Sequence, residues 1–409
     1  MFGIGLLSSA VQNQISGLVT GKEMKKKKVV IVEDEFLISE LYRHYLLNLG
    51  HEVLATFTNG SDAIAFFREN NADLVLMDVK LGNSEDGIDT MKKINEFKDV
   101  PVVYISGNTE DDNLKRALDT GLMAFLSKPV AMDDLDNILG SLKEINASIL
   151  YAERIQRAIF PQRREITRIL PGAIFISRPR HLVNGDFCFI AKNKTRNWII
   201  AGVGDCAGHG VPAALLSVMA HEMLRSLARR NLEPQEIIRH LNRNIVRNLA
   251  RVDRSRKLSD YLDLLVFRIE VNERKISIAD IRIPFVRYIA ETGEMHWHQY
   301  EGPRIGGGFI LPGQIAIRSY SYKEGDFFFF FTDGLPDLAG GEEGKRLRKE
   351  GLMDVMKKII AQNPSARDIE FDMMLRKWQG RAIAGDDMIL LGFSPYEIEK
   401  QHDHVWTGK

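Results

Sequence analysis

The chain is poor in cysteine, has no net charge and contains no long uncharged apolar run. Two cysteines in 409 residues, Cys188 and Cys206, are too few for a disulfide framework, which suits a reducing compartment and leaves both as small packing residues. Lys+Arg 55 against Asp+Glu 55 gives a formal charge of +0, so no global field draws in nucleic acid or an anionic membrane. Any phosphate must be recognised locally. No apolar run reaches the roughly 20 residues of a membrane helix, so a soluble, cytoplasmic protein without a membrane span is expected. Nothing after Gly140 reads as a helix-turn-helix, which argues against a DNA-binding regulator. Met1 to Thr20 has no basic residue ahead of its apolar part, unlike a secretory signal. Residues 1–27 are therefore expected to form a disordered leader, with Met24 open as an alternative start.

The length exceeds what one ordinary core supports, so two or three domains are expected, and 44% hydrophobic residues are ample to fill them. From Val29, short apolar runs alternate with amphipathic stretches: Val29–Val32, Val53–Phe57, Leu74–Met77, Val102–Ile105 and Ala124–Leu126 read as strands. That alternation predicts an α/β doubly wound parallel sheet of five strands, with its site beyond the strands' carboxyl ends. The polar residues fall there: Glu33 and Asp34 after the first strand, Asp78 after the third, Ser106 at the fourth, Lys128 with Pro129 at the fifth.

This ordered set resembles a CheY-type response-regulator receiver over residues 28–132, departing from it only in a loop without the frequent proline (Asp78 to Gly87) and in Glu33 for aspartate. The resemblance implies Mg²⁺ held by Glu33, Asp34, Asp78 and the Lys80 backbone carbonyl, with Asp78 as phosphoacceptor. It also implies a switch formed by Ser106, Phe125 and Lys128, and a sensor histidine kinase or phosphotransfer protein as partner. The chemistry is coherent, because a carboxylate attacks phosphorus poorly unless a cation screens the approaching oxygens.

Past Pro129, the residues Leu135, Ile138, Leu142, Ile145, Ile149, Ala152 and Ile159 follow one a/d stripe, interrupted only by Gln156. The spacing predicts a helical coiled-coil connector over 133–161 and a homodimer paired through it, its first turns covering the receiver sheet.

In the remaining chain, Trp198–Val203, Leu264–Val271, Phe285–Ile289, Phe327–Phe331 and Met388–Phe393 read as strands, and a helix is expected from near Val211. Five consecutive phenylalanines imply a strand buried on both faces. Asp186, Asp205, Asp333 and Asp386 each lie where an apolar strand meets a glycine-bearing turn, a pattern that gathers carboxylates around divalent ions. Asn184-Gly185-Asp186, Gly204-Asp205, Gly208-His209-Gly210, Thr332-Asp333-Gly334 and Asp386-Asp387, in this order, resemble the SpoIIE and RsbU branch of protein phosphatase 2C-like enzymes.

That resemblance implies an α+β four-layer (αββα) sandwich over 162–397, followed by a tail at 398–409. It implies two Mn²⁺ or Mg²⁺ ions, with Asp205 bridging both, Asp333 and Asp386 completing one site, and Asp186 with the Cys206 backbone carbonyl serving the other. His209 is expected to be a turn residue; His296, His298, His402 and His404 are expected on the surface. Where the family has Ala-Gly-His, this chain reads Ala279, Asp280, Ile281, Arg282, Ile283, Pro284; Asp263 and Asn184 also depart from the pattern. Arg282 is a candidate substrate contact. The expected function is a two-component regulator whose receiver controls a metal-dependent protein serine/threonine phosphatase acting on an anti-sigma-factor antagonist or similar phosphoprotein. The alternative is a non-catalytic scaffold that binds its partner through a drifted domain.

Overall fold

The computed structural model describes residues 26–82, 85–107, 113, 116–117, 120–193, 198–208, 210–249, 261–311, 313–341, 344–380, 382 and 384–400. The expected leader up to Lys25, His209, His402 and His404 lie outside these. The chain divides into two compact units, 1–145 and 146–409.

The first unit alternates β1 (Lys28–Val32), α1 (Phe36–Asn48), β2 (Glu52–Phe57), α2 (Gly60–Glu69) and β3 (Leu74–Asp78). A small hairpin, β4 (Lys80–Leu81) and β5 (Glu85–Asp86), leads to α3 (Gly87–Asn95), β6 (Val102–Ser106) and β7 (Leu122–Ser127). The main strands form one parallel sheet in the order β2-β1-β3-β6-β7. Burial on both faces explains the continuous apolar runs. Val30 and Val32 pack with Phe67 and Ile88 on one side, while Val29 and Ile31 pack with Tyr42, Leu46 and Leu135 on the other. Asn59 and Asp86 cap α2 and α3 by accepting backbone N–H bonds, which fixes where those helices start.

A single helix, α4 (Met132–Ile159), runs across the division between the units. Leu135 and Ile138 belong to the first unit's core, whereas Gln156 is buried and bonded within the second.

The second unit continues with α5 (Arg163–Ile169), β8 (Ile174–Arg178), β9 (Phe187–Asn193), β10 (Trp198–Cys206), α6 (Val211–Ala228) and α7 (Pro234–Leu249). There follow β11 (Leu262–Glu270), β12 (Lys275–Ile281), β13 (Phe285–Ile289), β14 (Glu294–His298), β15 (Ala316–Ser321) and β16 (Phe327–Phe331). Then come β17 (Ala339–Gly340), β18 (Lys345–Arg346), α8 (Arg348–Ile360), α9 (Arg367–Gln379) and β19 (Met388–Phe393). Two antiparallel sheets result, β15-β12-β11-β10-β9 and β14-β13-β16-β19-β8.

Alternation along the phenylalanine strand shows how the layers stack. Phe328 and Phe330 meet Phe267, Val203 and Leu391 between the sheets, while Phe327, Phe329 and Phe331 face Leu352, Met356 and Phe371 of the outer helices. The other sheet packs Ile200, Leu264 and Val266 against Leu216, Leu224, Ile237 and Leu241 of α6 and α7. Helix, sheet, sheet, helix is thus the layer order. Ile398, expected in the tail, is buried in the intersheet core. His298 is not a plain surface residue either: its ring stacks on Phe285 at 4.6 Å, and burial lowers its pKa to about 4.

Candidate functional site

Two acidic sites exist, one in each unit. In the first, Glu33 follows β1, Asp78 ends β3, Ser106 ends β6 and Lys128 follows β7, so a parallel sheet delivers all four to one edge. Glu33, Asp34 and Asp78 can each offer an oxygen such that all three lie within 4.8 Å of one another. Lys128 Nζ donates to Glu33 Oε1 at 2.9 Å and to Asp78 Oδ2 at 2.7 Å. Glu33 Oε2 is buried with no hydrogen-bond partner. Burial pushes the Glu33 carboxyl up to about 7, with the neighbouring Asp78 charge adding and Lys128 opposing. Burial also works against the Lys128 charge, but its bonds to Asp78 and Glu33 outweigh this and hold its pKa above the ordinary lysine range.

The loops around this site are fixed by backbone bonds. Lys80 N–H donates to Asp78 Oδ1 at 3.2 Å, and Gly82 N–H donates to Asp34 Oδ2 at 3.0 Å. Gly87 is required because a Cβ there would stand 2.0 Å from the Asp78 carbonyl. Ser106 is buried, and Phe125 is half-buried with its ring 6.0 Å from that of Tyr104.

The second site gathers the ends of several antiparallel strands. Asp205 near the end of β10, Asp333 after β16 and Asp386 before β19 line one cavity of about 130 Å³, together with Asp263, Tyr261 and Arg304. Asp205 stands directly across the β10–β11 pair from Asp263, an opposition of like charges that is unfavourable without a cation. Asp186 is fully buried behind them, and its Oδ2 accepts the Thr332 hydroxyl at 2.7 Å. Burial, then the Asp333, Asp263 and Asp386 charges, raise the Asp205 pKa well above the carboxylate range. Burial followed by Asp205 does the same to Asp186, and burial followed by Asp386 raises Asp333.

Several residues of this site were visible in the sequence as motif or stripe positions, but not by the role they take. Asp387 accepts the backbone N–H groups of Arg180 and Gly185, each at 2.6 Å, tying the Asp186 turn to the start of β19. Gly334 lets that strand pass, since a Cβ would meet the Asp387 carbonyl at 2.0 Å. Thr332 Oγ1 also accepts from Ile389 N at 2.9 Å. Gln156 of α4 donates to the Asn184 carbonyl at 2.7 Å and accepts from Asn184 N at 2.9 Å. Asn184 earns its departure from glycine, because its Oδ1 accepts Asp186 N–H at 3.0 Å. An aspartate doublet does not announce which member will be buried, and Gln156 reads as a flaw in an apolar stripe.

Arg282, the candidate substrate contact, adopts a left-handed φ of 67°, its Nε donates to Asp263 Oδ2 at 3.3 Å, and it is not among the residues lining the cavity. Arg304 lines the cavity instead, its guanidinium 4.0 Å from the Tyr261 ring centre and 4.0 Å from Asp263 Oδ1. Asp280, in the segment replacing Ala-Gly-His, is buried and ion-paired with Arg318. Cys188 and Cys206 are both free and buried, and burial raises both thiol pKa values.

A parallel five-stranded unit with an acid-lysine edge and a two-sheet sandwich with a carboxylate cavity define a two-module protein. The family model for the response regulator receiver domain matches residues 29–140, and that for stage II sporulation protein E matches residues 196–394. The chain therefore joins a response-regulator receiver to a SpoIIE-type, protein phosphatase 2C-like domain. It is 35% identical over 109 residues to the transcriptional regulatory protein PdtaR of Mycobacterium tuberculosis, covering 27% of this chain and 53% of the relative. It is 32% identical over 113 residues to the transcriptional regulatory protein CrdR of Helicobacter pylori, covering 27% of this chain and 52% of the relative. The chain thus spans about half the length of these curated relatives. Among solved structures, the SiaA-PP2C domain of Pseudomonas aeruginosa is similar with a TM-score of 0.53 at 25% identity, covering 62% of this chain and 98% of that one. Among the described residues, no helix is long and apolar enough to cross a membrane.

Proposed function

We propose that the chain is a response regulator whose receiver, phosphorylated on Asp78, controls a metal-dependent serine/threonine phosphatase acting on a phosphoprotein of the anti-sigma-factor antagonist type. The observation that carries this reading is that Asp205, Asp333 and Asp386 line one small cavity, while Asp186, buried outside its lining, is repelled by Asp205 and Asp386. An all-oxygen donor set of this kind suits hard divalent cations. Asp205, Asp333 and Asp386, with Asp186 and the Cys206 carbonyl, would hold two Mn²⁺ or Mg²⁺ ions. Such a pair, when bound, supplies a nucleophile from water near neutral pH and offsets charge on the phosphoryl oxygens.

The chain's own residues do the positioning. Thr332 holds the Asp186 carboxylate, Asp387 clamps the Gly185 turn, and Arg304 at the cavity wall would orient the phosphate ester through charge-assisted bonds. Neither cysteine is suited to nucleophilic attack, because burial keeps both thiols protonated.

In the receiver, the orphaned Glu33 Oε2 and the neighbouring carboxylates fit one Mg²⁺ held by Glu33, Asp34, Asp78 and the Lys80 carbonyl. Asp78 Oδ1 would attack a phosphodonor while Lys128 neutralises the product, Ser106 contacts a phosphate oxygen, and Phe125 changes packing. A sensor histidine kinase or phosphotransfer protein would be that donor. The continuous α4 helix supports a role in coupling, and pairing of two copies along the later part of its a/d stripe, through Ile149, Ala152 and Ile159, is the corresponding homodimer. Phosphate release from a phosphoserine peptide, titrated with Mn²⁺ in the presence and absence of acetyl phosphate, tests both halves. Release that needs Mn²⁺ and responds to acetyl phosphate is expected; metal binding without turnover would favour the scaffold.

A further inference from the structure

The second unit carries a basic groove apart from its acidic cavity. Helix α7 buries Ile237, Ile238, Leu241 and Ile245, and on another face Arg239, Arg243 and Arg247 recur every four residues. That spacing lays three guanidinium groups along a stripe of about 12 Å. With Phe309 and Ile310 the stripe lines a groove of about 300 Å³. Arg239 Nε is buried without a hydrogen-bond partner, and among the described residues none of the three arginines has an ion-pair partner. Like charges four residues apart weaken a helix, so the stripe is unfavourable until an anion lies against it. Beside it, Phe309 is 87% exposed and Leu311 60% exposed.

The groove is tied to the acidic cavity by one strap. Asn242 is buried in α7; its Nδ2 donates to the Gly308 carbonyl at 2.8 Å and its Oδ1 accepts from Gly306 N at 2.9 Å. Ile305 bridges to Leu262, next to Asp263, and Arg304 lines the cavity. From Arg304 to Phe309 the chain can span at most about 18 Å. An extended peptide with a phosphoserine at the cavity therefore needs only about five or six residues to reach the groove.

We propose that this groove docks an acidic segment of the protein substrate, with carboxylates against Arg239, Arg243 and Arg247 and an apolar side chain over Phe309 and Ile310. The proposal rests on the phosphatase reading and adds a substrate-selecting surface to it. Three guanidinium groups offset the repulsion an acidic protein meets at a carboxylate-lined cavity. Fork-shaped donors also suit carboxylates. The formal charge of +0 favours a local acidic segment over a nucleic acid.

The test uses the full chain and two fluorescein-labelled phosphoserine peptides, one carrying four aspartates and a leucine within six residues of the phosphoserine, the other with serines in place of the aspartates. In the Arg243→Glu/Arg247→Glu variant, KM for the acidic peptide should rise about tenfold or more with kcat unchanged. Hydrolysis of the serine peptide and of p-nitrophenyl phosphate should stay as in the unsubstituted chain. Fluorescence anisotropy should show the matching loss of acidic-peptide binding. Phe309→Ala should raise the same KM less. An unaltered KM and affinity for the acidic peptide would overturn the proposal, as would tighter, arginine-dependent binding of a single-stranded oligonucleotide. If the unsubstituted chain hydrolyses nothing yet anisotropy shows arginine-dependent peptide binding, the phosphatase reading fails while the docking site stands.

Discussion

The two acidic sites solve the same electrostatic problem in opposite ways. The receiver places a cation of its own inside the cluster: Lys128 bridges Glu33 and Asp78, so only Glu33 keeps an orphaned oxygen. The phosphatase-like site has no lysine among the residues lining its cavity; Arg304 and Arg282 reach Asp263, while Asp186 depends on Thr332. A receiver can thus stay folded and poised between signals. The second cavity holds mutually repelling acids that favour bound cations or bound protons.

This contrast can be broken by substitution. The largest effect is expected for Asp205→Asn, which should cost peptide hydrolysis more than the roughly 10–100-fold typical of losing a residue that supports a ligand. Phosphorylation of Asp78 by acetyl phosphate, read by phosphate-affinity electrophoresis, should be unchanged in that variant. Normal turnover would break the four-carboxylate assignment.

Asp78→Asn should abolish the response to acetyl phosphate while keeping basal hydrolysis, the response in the unsubstituted chain lying within the roughly 5–150-fold range of typical coupling. Retained regulation would remove Asp78 from the switch. Thr332→Val should weaken Mn²⁺ affinity by about 10–100-fold, measured by calorimetry, because Asp186 loses the hydroxyl that orients it. An unchanged affinity would show that Thr332 serves only the Ile389 backbone.

The smallest effect concerns pH. The Glu33 pKa is raised from 4.5 to about 7 in the folded state, so the native chain binds that proton more tightly than the unfolded one. Its contribution to stability is full below pH 4.5 and is lost as pH rises through about 7. In EDTA the receiver transition should therefore fall by a few degrees between pH 5 and pH 8. Glu33→Gln should flatten that slope; an unchanged slope would assign the titration to another group.

Much of this was legible in the sequence because strand ends announce themselves. The runs Phe285–Ile289, Phe327–Phe331 and Met388–Phe393 coincide with β13, β16 and β19, and the parallel strands lie where the apolar runs placed them. Asp205 and Asp333 were visible for the same reason: apolar residues stop where a carboxylate and a glycine begin. Arg304 was not, since it stands in a loop between β14 and β15 and acquires its place through the Ile305–Leu262 bridge and its contacts with Tyr261 and Asp263. The role of Gln156 was hidden for a related reason. Periodicity marks a helix face but not what covers it, and this side chain pairs with the Asn184 backbone of its own unit.

The most direct test of the central claim is phosphate release from a phosphoserine peptide by the full chain as Mn²⁺ is titrated into metal-free protein, with Asp205→Asn in parallel. Release should rise from background with Mn²⁺ in the unsubstituted chain and remain at background in the variant. Equal release from both proteins, or none from the unsubstituted chain at saturating Mn²⁺, would contradict the account.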